Sequence, residues 1–300
     1  MTFSRQVEHM DRKIEESAQG ALWNGSAGRA WVDSQQVLDR VLAPFQDILI
    51  EAIVEGSGGH VLDVGCGTGS TSLAIARRLG EGGRCVGVDI SEPMLTRARE
   101  RAGVEPRPPS FVWADAETYA FEAESFDRVV SRFGVMFFAN PVAAFANLRR
   151  AAKPEGELRF VAWRKADENP FMTTAERVAA PLLPNLPPRH PNEPGQFAFG
   201  DAQRVRTILE DSGWLDVDLQ PIDVPCSMPE SDLDEYVTRM GPVGRVLHEA
   251  DASLRAEFLK RARMAYEPYV HGAVVEFVGA CWLVRARAST RERVSAASLS

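Results

Sequence analysis

The stretch Val61-Leu62-Asp63-Val64-Gly65-Cys66-Gly67-Thr68-Gly69 decides how this chain is read. Its first four residues mix apolar side chains with one acid, and a loop with glycine at three of its five positions follows. From Ser70 to Leu79, the residues Leu73, Ile75, Ala76 and Leu79 then share one helical face. Strand, tight loop and helix in that order open an α/β unit. Glycine reaches positive φ without a side-chain penalty and lets a ligand approach the main-chain amides with no Cβ in the way. The helix aims its free N-terminal amides at the loop, so the turn favours a carboxylate or phosphate.

Spacing separates the ligand classes that use such a turn. A dinucleotide turn reads G-x-G-x-x-G/A, its third small residue allowing close helix–strand packing. Counted from Gly65, that third position is Ser70, and the third glycine comes one place early, at Gly69. The pattern is D-x-G-x-G-x-G. The run DVGCGTG resembles the first motif of the class I S-adenosyl-L-methionine-dependent methyltransferases, in particular the small-molecule branch similar to ubiquinone/menaquinone methyltransferases. The resemblance covers about residues 45–165 and extends to the run Ala280-Cys281-Trp282-Leu283-Val284-Arg285-Ala286-Arg287. It implies S-adenosyl-L-methionine as cofactor. It also implies an α/β fold with a doubly wound, seven-stranded Rossmann-like sheet. In that sheet the last strand is antiparallel and inserted between the fifth and sixth.

Further strands end in acids. Cys85 to Ile90 is a short apolar strand closing on Asp89, 20 residues beyond Gly69. An acid there accepts ribose hydroxyls, whether the nucleoside is NAD or S-adenosylmethionine. Ser91 reads as an N-cap, with Pro93 at the second helical position. Phe111 to Glu117 forms a third strand whose apolar run ends at Asp115, and Ser125 to Phe138 gives the fourth strand and its exit loop. The resemblance implies that Ile90 and Met94 border the adenine, although Met94 also suits ordinary core. It implies that Asp115 and the amide of Ala116 read the adenine edge, and that Ser131, Arg132 and Phe133 pass the sulfonium. Asp63, Gly65, Cys66, Gly67 and Gly69 complete this cofactor set. Cys66, flanked by glycines with no base beside it, reads as a packing residue rather than a nucleophile. The turn Lys153-Pro154-Glu155-Gly156 departs at Glu155 from the family's K-P-G-G, at the edge opposite the site.

Ahead of the first strand, Trp23-Asn24-Gly25-Ser26-Ala27-Gly28-Arg29-Ala30-Trp31 sets two indoles around small residues. It is similar to a short aromatic motif that packs near the cofactor's methionine end, which makes Trp31 a cofactor-side candidate. Plain packing of an N-terminal helix is the alternative. Apolar spacing from Val37 to Val54 predicts a helix. The expected organisation is a helical cap over residues 1–45, a methyltransferase domain over 46–288, and a disordered tail over 289–300. Two insertions interrupt that domain, at about 164–200 and 231–267. The first is proline-rich, yet Phe171, Met172, Leu182, Leu183, Phe197 and Phe199 make it too apolar for a linker, so it reads as a lid.

Methyl transfer from a sulfonium is an in-line displacement in which the protein aligns the reactants and excludes water. A general base is needed only when the acceptor must lose a proton. His271, just before the last strand, is expected at the active-site edge, and His190 lies in the proline-rich insertion. A surface histidine without a role is the plain alternative for each. His60 falls at the far edge. No histidine spacing suggests a metal.

The 300 residues are 45% hydrophobic, enough for the core of one large domain. Acids outnumber bases 42 to 34, for a net charge of -8, and no long basic run points to nucleic acid. Cys66, Cys85, Cys226 and Cys281 are scattered, as expected of reduced core thiols in a cytoplasmic protein. Charged residues from Glu8 to Glu16 stand where a signal peptide needs an apolar run, and no apolar stretch is long enough to span a membrane. Met136, Phe137, Phe138 and Trp163 suggest an apolar wall and a small organic acceptor; a homodimer is left open. Two other functions compete. Ser70 and the lack of a Tyr-x-x-x-Lys pair argue against an NAD(P)-dependent oxidoreductase. Fold alone does not remove a non-catalytic nucleoside-binding module, but the lid-like insertions disfavour it.

Overall fold

A computed structural model describes Ile14 and residues 17–288, apart from Ala52, Val54 and Pro191. The expected tail over 289–300 and most of the first 16 residues lie outside the described residues. The central sheet contains β1 (His60–Val64), β2 (Arg84–Asp89), β3 (Ser110–Trp113), β4 (Phe126–Arg132), β5 (Ala152–Trp163), β6 (Leu215–Pro229) and β8 (Val274–Arg287). Their order is β3-β2-β1-β4-β5-β8-β6, and a two-residue β7 (Val270–His271) pairs with β8. The first five strands are parallel, whereas β8 runs antiparallel to both β5 and β6. This is the doubly wound sheet expected from the sequence, with the last strand inserted between the fifth and sixth.

Parallel strands covered on both faces read as continuous apolar runs. Val61, Leu62, Val88, Val129, Leu158 and Val161 are accordingly all fully buried. Leu62 sits in register with Val86 on one side and Val129 on the other. The chain therefore winds outward from β1 to β3 and returns on the other side of β1 at β4. Strand order reverses between β1 and β4, and the crevice beyond their carboxyl ends is where doubly wound sheets bind ligands. β6 carries Pro221, Pro225 and Pro229, which have no N–H to donate, and it pairs on one side only, with β8. That suits an edge strand.

Among the described residues, α1 (Ala18–Asn24), α2 (Ser26–Asp33) and α3 (Gln35–Ile50) precede β1. The apolar stripe of α3 is buried at Val37, Val41, Phe45 and Leu49. The Phe45 ring meets those of Phe133 and Trp163 edge-on. After the loops come α4 (Ser70–Arg78), α5 (Glu92–Ala102) and α6 (Pro141–Ala151). The segment read as the first insertion holds α7 (Pro170–Ala179) and an irregular stretch up to α8 (Ala202–Asp211). The second holds α9 (Leu233–Arg239), α10 (Gly241–Leu247) and α11 (Ala252–Tyr266). The two segments pack on each other. Tyr266 Oη accepts from the Ala175 amide at 3.2 Å and donates to the Phe171 carbonyl at 3.0 Å, and Tyr236 Oη donates to Met172 Sδ at 3.0 Å. Phe171 stacks on Phe277 of β8 with 3.8 Å between ring centroids.

One expectation fails on strand length. Trp163, the last residue of β5, pairs with Cys281, whereas β8 begins seven residues earlier, at Val274, paired with Pro229. At ~3.3 Å per residue the β6–β8 arm runs ~23 Å past the end of β5. His271, paired with Val274, sits exposed at the tip of that arm rather than at the active-site edge.

Glu155 holds φ +62, the left-handed conformation that glycine takes without cost. Its carboxylate lies 3.8 Å from Arg287, an exposed pair worth little. Glu155→Gly is expected to raise stability by about 1 kcal/mol in urea unfolding. An unchanged or lower midpoint would contradict this.

Candidate active site

The site is built where β1 and β2 end. The amides of Gly65 and Cys66 both donate to the Val88 carbonyl, at 2.9 and 3.2 Å, which turns the loop toward β2. The Gly67 amide donates to Asp89 Oδ2 at 2.7 Å and the Ser91 amide to Asp89 Oδ1 at 2.8 Å. One carboxylate thus ties the glycine loop to the start of α5, where Ser91 caps the helix. Burial raises the Asp89 pKa to about 6 against the pull of those amides. Asp63 lies beneath the loop. Its Oδ2 accepts from Ser72 Oγ at 2.6 Å, and its Oδ1 is buried without a partner. Burial raises its pKa to about 6 as well, opposed by Ser72 and Arg132. The Cys66 thiol is pushed well above its ordinary value by burial and then by Asp89, so it is not a nucleophile.

Two glycines of the loop answer different demands. A Cβ on Gly65 (φ +68) would stand 2.6 Å from the Cα of Gly134, in the loop leaving β4. A Cβ on Gly67 (φ +55) would meet Met94 Sδ alone, at 3.7 Å, so this face of the loop is open. Gly69 occupies the N-cap of α4 and offers no side chain to the first amides of that helix.

At the end of β3, Ala114 N donates to the Asp89 carbonyl at 3.0 Å, which brings Asp115 and Ala116 beside the loop after β2. Asp115 Oδ1 accepts from the Glu117 amide at 2.9 Å, and partial burial raises its pKa. Beyond β4, Phe133 holds φ +66 while its ring stacks on Trp163, 4.4 Å away and parallel within 4°. Strain of this kind gathers at functional sites. Ser131 and Arg132 are bonded to the neighbouring main chain. Ser131 Oγ donates to the Val64 carbonyl at 2.7 Å and accepts from the amides of Gly134 and Val135, so it holds the turn. Arg132 reaches the Leu42 carbonyl of α3 at 3.3 Å, with Asp39 and Asp63 supporting its buried charge.

The helices before β1 are bonded onto this site. Asn24 Nδ2 donates to the Ile90 carbonyl and Asn24 Oδ1 accepts from the Glu92 amide, both at 2.9 Å. Ser91 Oγ donates to the Trp23 carbonyl at 2.6 Å. A Cβ on Gly28 would fall 1.9 Å from that same carbonyl and 2.8 Å from Ser91 Oγ, so only glycine fits. Asp39 pairs with Arg101 at 2.7 Å, and Arg101 also donates to the Thr68 carbonyl at 2.8 Å. Asn24, Gly28 and Gly134 escaped the sequence reading as site residues, although the run W-N-x-x-x-G carried the first two.

Next to the site lies a cavity of about 1110 Å³. Trp23, Trp31, Phe133, Phe137, Trp163 and Met172 are among its walls. Trp23 meets Trp31 and Phe137 edge-on, at 6.0 and 5.0 Å between centroids. Trp31 therefore stands on the cavity side. His190 also lines the cavity, while His271 does not. Strand-end acids, an open glycine backbone and an adjoining apolar chamber suit a nucleoside next to a second, less polar ligand.

This fold and site define a doubly wound nucleoside-binding α/β protein. The methyltransferase-domain family matches residues 61–156. A ubiquinone/menaquinone biosynthesis C-methyltransferase of Paraburkholderia phymatum is 30% identical over 164 residues, 52% of this chain and 67% of that protein. The chain belongs to the class I S-adenosylmethionine-dependent methyltransferase family. It spans about half the length of other curated relatives, such as an uncharacterized protein of Mycobacterium tuberculosis. That protein is 32% identical over 131 residues, which is 44% of this chain and 47% of the relative. Among solved structures, a Haemonchus contortus phosphoethanolamine N-methyltransferase shares the fold at TM-score 0.52 and 19% identity, covering 94% of this chain and 61% of that one. The [4+2]-cyclase SpnF does so at TM-score 0.53 and 20% identity, covering 88% and 95%.

The glycine contacts separate two losses. Gly65→Ala is expected to cost about 3 kcal/mol of stability, from its left-handed φ and the clash with Gly134. Gly67→Ala, with room for its methyl, should cost about 1–2 kcal/mol. Equal losses in urea unfolding would contradict the assignment of the tight contact to Gly65.

Proposed function

We propose that the chain transfers a methyl group from S-adenosylmethionine to a small organic acceptor held in the apolar cavity. The observation that carries this reading is the shared position of Phe133, which follows β4 beside the glycine loop and also forms part of the cavity wall. A methyl donor at the strand ends and an acceptor in the chamber would meet across it.

The residues present fit the cofactor. Asp63 Oδ1 is a buried acceptor without a partner, suited to an ammonium group. The uncapped amides that open α4 suit a carboxylate. Asp89 suits the ribose hydroxyls, and Asp115 and Ala116 the adenine edge, with Ile90 and Met94 alongside. When bound, S-adenosylmethionine supplies an electrophilic methyl group on a sulfonium.

The chain's own residues do the rest by placement. Phe133 and Trp163 exclude water from the line of transfer, and the cap holding Trp23 and Trp31 closes the chamber from above. An attacking atom on the cavity side would face the sulfonium in line. Of His190 and His271, His190 is the one on the cavity wall, and it would accept a proton if the acceptor carries one. The helices before β1 and the two insertions then act together as the acceptor chamber, on a methyltransferase core.

Tritium-labelled methyl donor incubated with the protein and a size-fractionated cell extract tests the acceptor class. Label is expected in the small-molecule fraction, and label in protein or RNA would overturn the reading. Binding of S-adenosylhomocysteine, followed by calorimetry, tests the role of Asp89. Its carboxylate is ionised above a pKa of about 6 and protonated below it. Affinity should hold from pH 8 to 7 and weaken as pH falls toward 5. A flat profile would remove Asp89 from the ribose site.

A further inference from the structure

The cavity wall carries a charge that the chain leaves unanswered. Arg245, on α10, lines the cavity and is half-buried. Among the described residues its guanidinium has no ion pair or hydrogen bond. The acid that acts on it is Glu176 of α7, and Arg189 stands near enough to oppose it. Glu176 is already committed. Arg189 Nε donates to its Oε2 at 2.6 Å, and Arg189 Nη2 pairs with its Oε1. The Arg189 guanidinium lies over the Phe197 ring, 4.6 Å from its centroid, which fixes the fork in place. The remaining acids on the wall are occupied or peripheral. Asp33 lies 3.4 Å from Arg239, Asp201 caps α8, and Glu193 is exposed.

Among the described residues of the wall, Arg29 and Lys165 also lack an ion pair but are exposed to solvent, whereas Arg245 is half-buried without a counterion of its own, beside Arg189 and Glu176 and in the same chamber as the aromatic rings. Holding an unpaired charge against apolar surface is costly, and a ligand that supplies the opposite charge recovers that cost. A planar guanidinium offers paired donors that match a carboxylate or similar oxyanion.

We infer that the acceptor is an amphipathic organic anion, its oxyanion set against Arg245 and its ring or chain against Trp31, Phe137 and Trp163. This rests on the methyltransferase reading for the word acceptor, but the anion site stands on the cavity itself. Arg245 is then a specificity residue: it selects charged over neutral molecules of the same shape. His248, also on the wall, lies on the α10 side and adds no negative charge.

The test uses two fluorescent probes that differ by one charged group, 1-anilinonaphthalene-8-sulfonate and its uncharged parent, N-phenyl-1-naphthylamine. Titration of the full chain should show Arg245→Met weakening the sulfonate about tenfold while the neutral probe changes less than about twofold. Glu176→Gln, which frees Arg189, should strengthen the sulfonate and leave the neutral probe alone. If Arg245→Met leaves the ratio of the two affinities unchanged, or Glu176→Gln weakens the sulfonate, the inference is overturned. S-adenosylhomocysteine binding measured on the same samples separates the two claims. Anion preference without nucleoside binding would keep the anion site and remove the methyltransferase reading. Nucleoside binding without anion preference would remove the anion site alone.

Discussion

Two backbones touch where β1 and β4 leave the sheet, and much of the site depends on that contact. Gly65 and Gly134 approach so closely that a Cβ on either would lie within 2.7 Å of the other's Cα. The contact sits at the switch point of the strand order, where a doubly wound sheet opens its crevice. It lets the loop after β1 turn over toward β2, and the Asp89 carboxylate then holds the Gly67 amide. On the other side it sets Phe133 in a left-handed conformation, fixed against Trp163 and Phe45. Ser131 secures the turn by bonding to the Val64 carbonyl across the two strands. The glycine loop and the aromatic wall of the cavity are thus held to each other through one backbone contact.

The helices before β1 complete that arrangement. Their bonds tie them to the sheet's own loops: Asn24 to the main chain of Ile90 and Glu92, the Ser91 hydroxyl to the Trp23 carbonyl, and Arg101 to both the Asp39 carboxylate and the Thr68 carbonyl. Bonds of this kind depend on backbone position and would register small shifts of the loop after β2. Asp63 and Asp89 are kept under the loop at some cost in burial, seen in their raised pKa values. A buried acid with an unpartnered oxygen is tolerated in a site that later supplies a donor.

Much of this was legible in the sequence because it is local. Asp63, Asp89 and Asp115 each follow an apolar run, so strand ends and acids could be read together. The glycine spacing needed no more than nine residues. What escaped depends on residues far apart in the chain. The placement of His271 turned on how far β8 outruns β5, a register that no local pattern sets. The partner of the Ser131 hydroxyl is the Val64 carbonyl, 67 residues away in the chain and 2.7 Å distant in the fold. Arg245 carries no motif; its meaning comes from Glu176 being already taken by Arg189.

The most direct measurement is thermal unfolding with S-adenosylmethionine, S-adenosylhomocysteine, NAD and NADP, each in excess. A ligand that binds only the folded chain, at 100 times its dissociation constant, adds about 2.7 kcal/mol. The account predicts an upward shift with the two sulfur nucleosides alone. A shift with NAD or NADP, and none with the sulfur nucleosides, would contradict it.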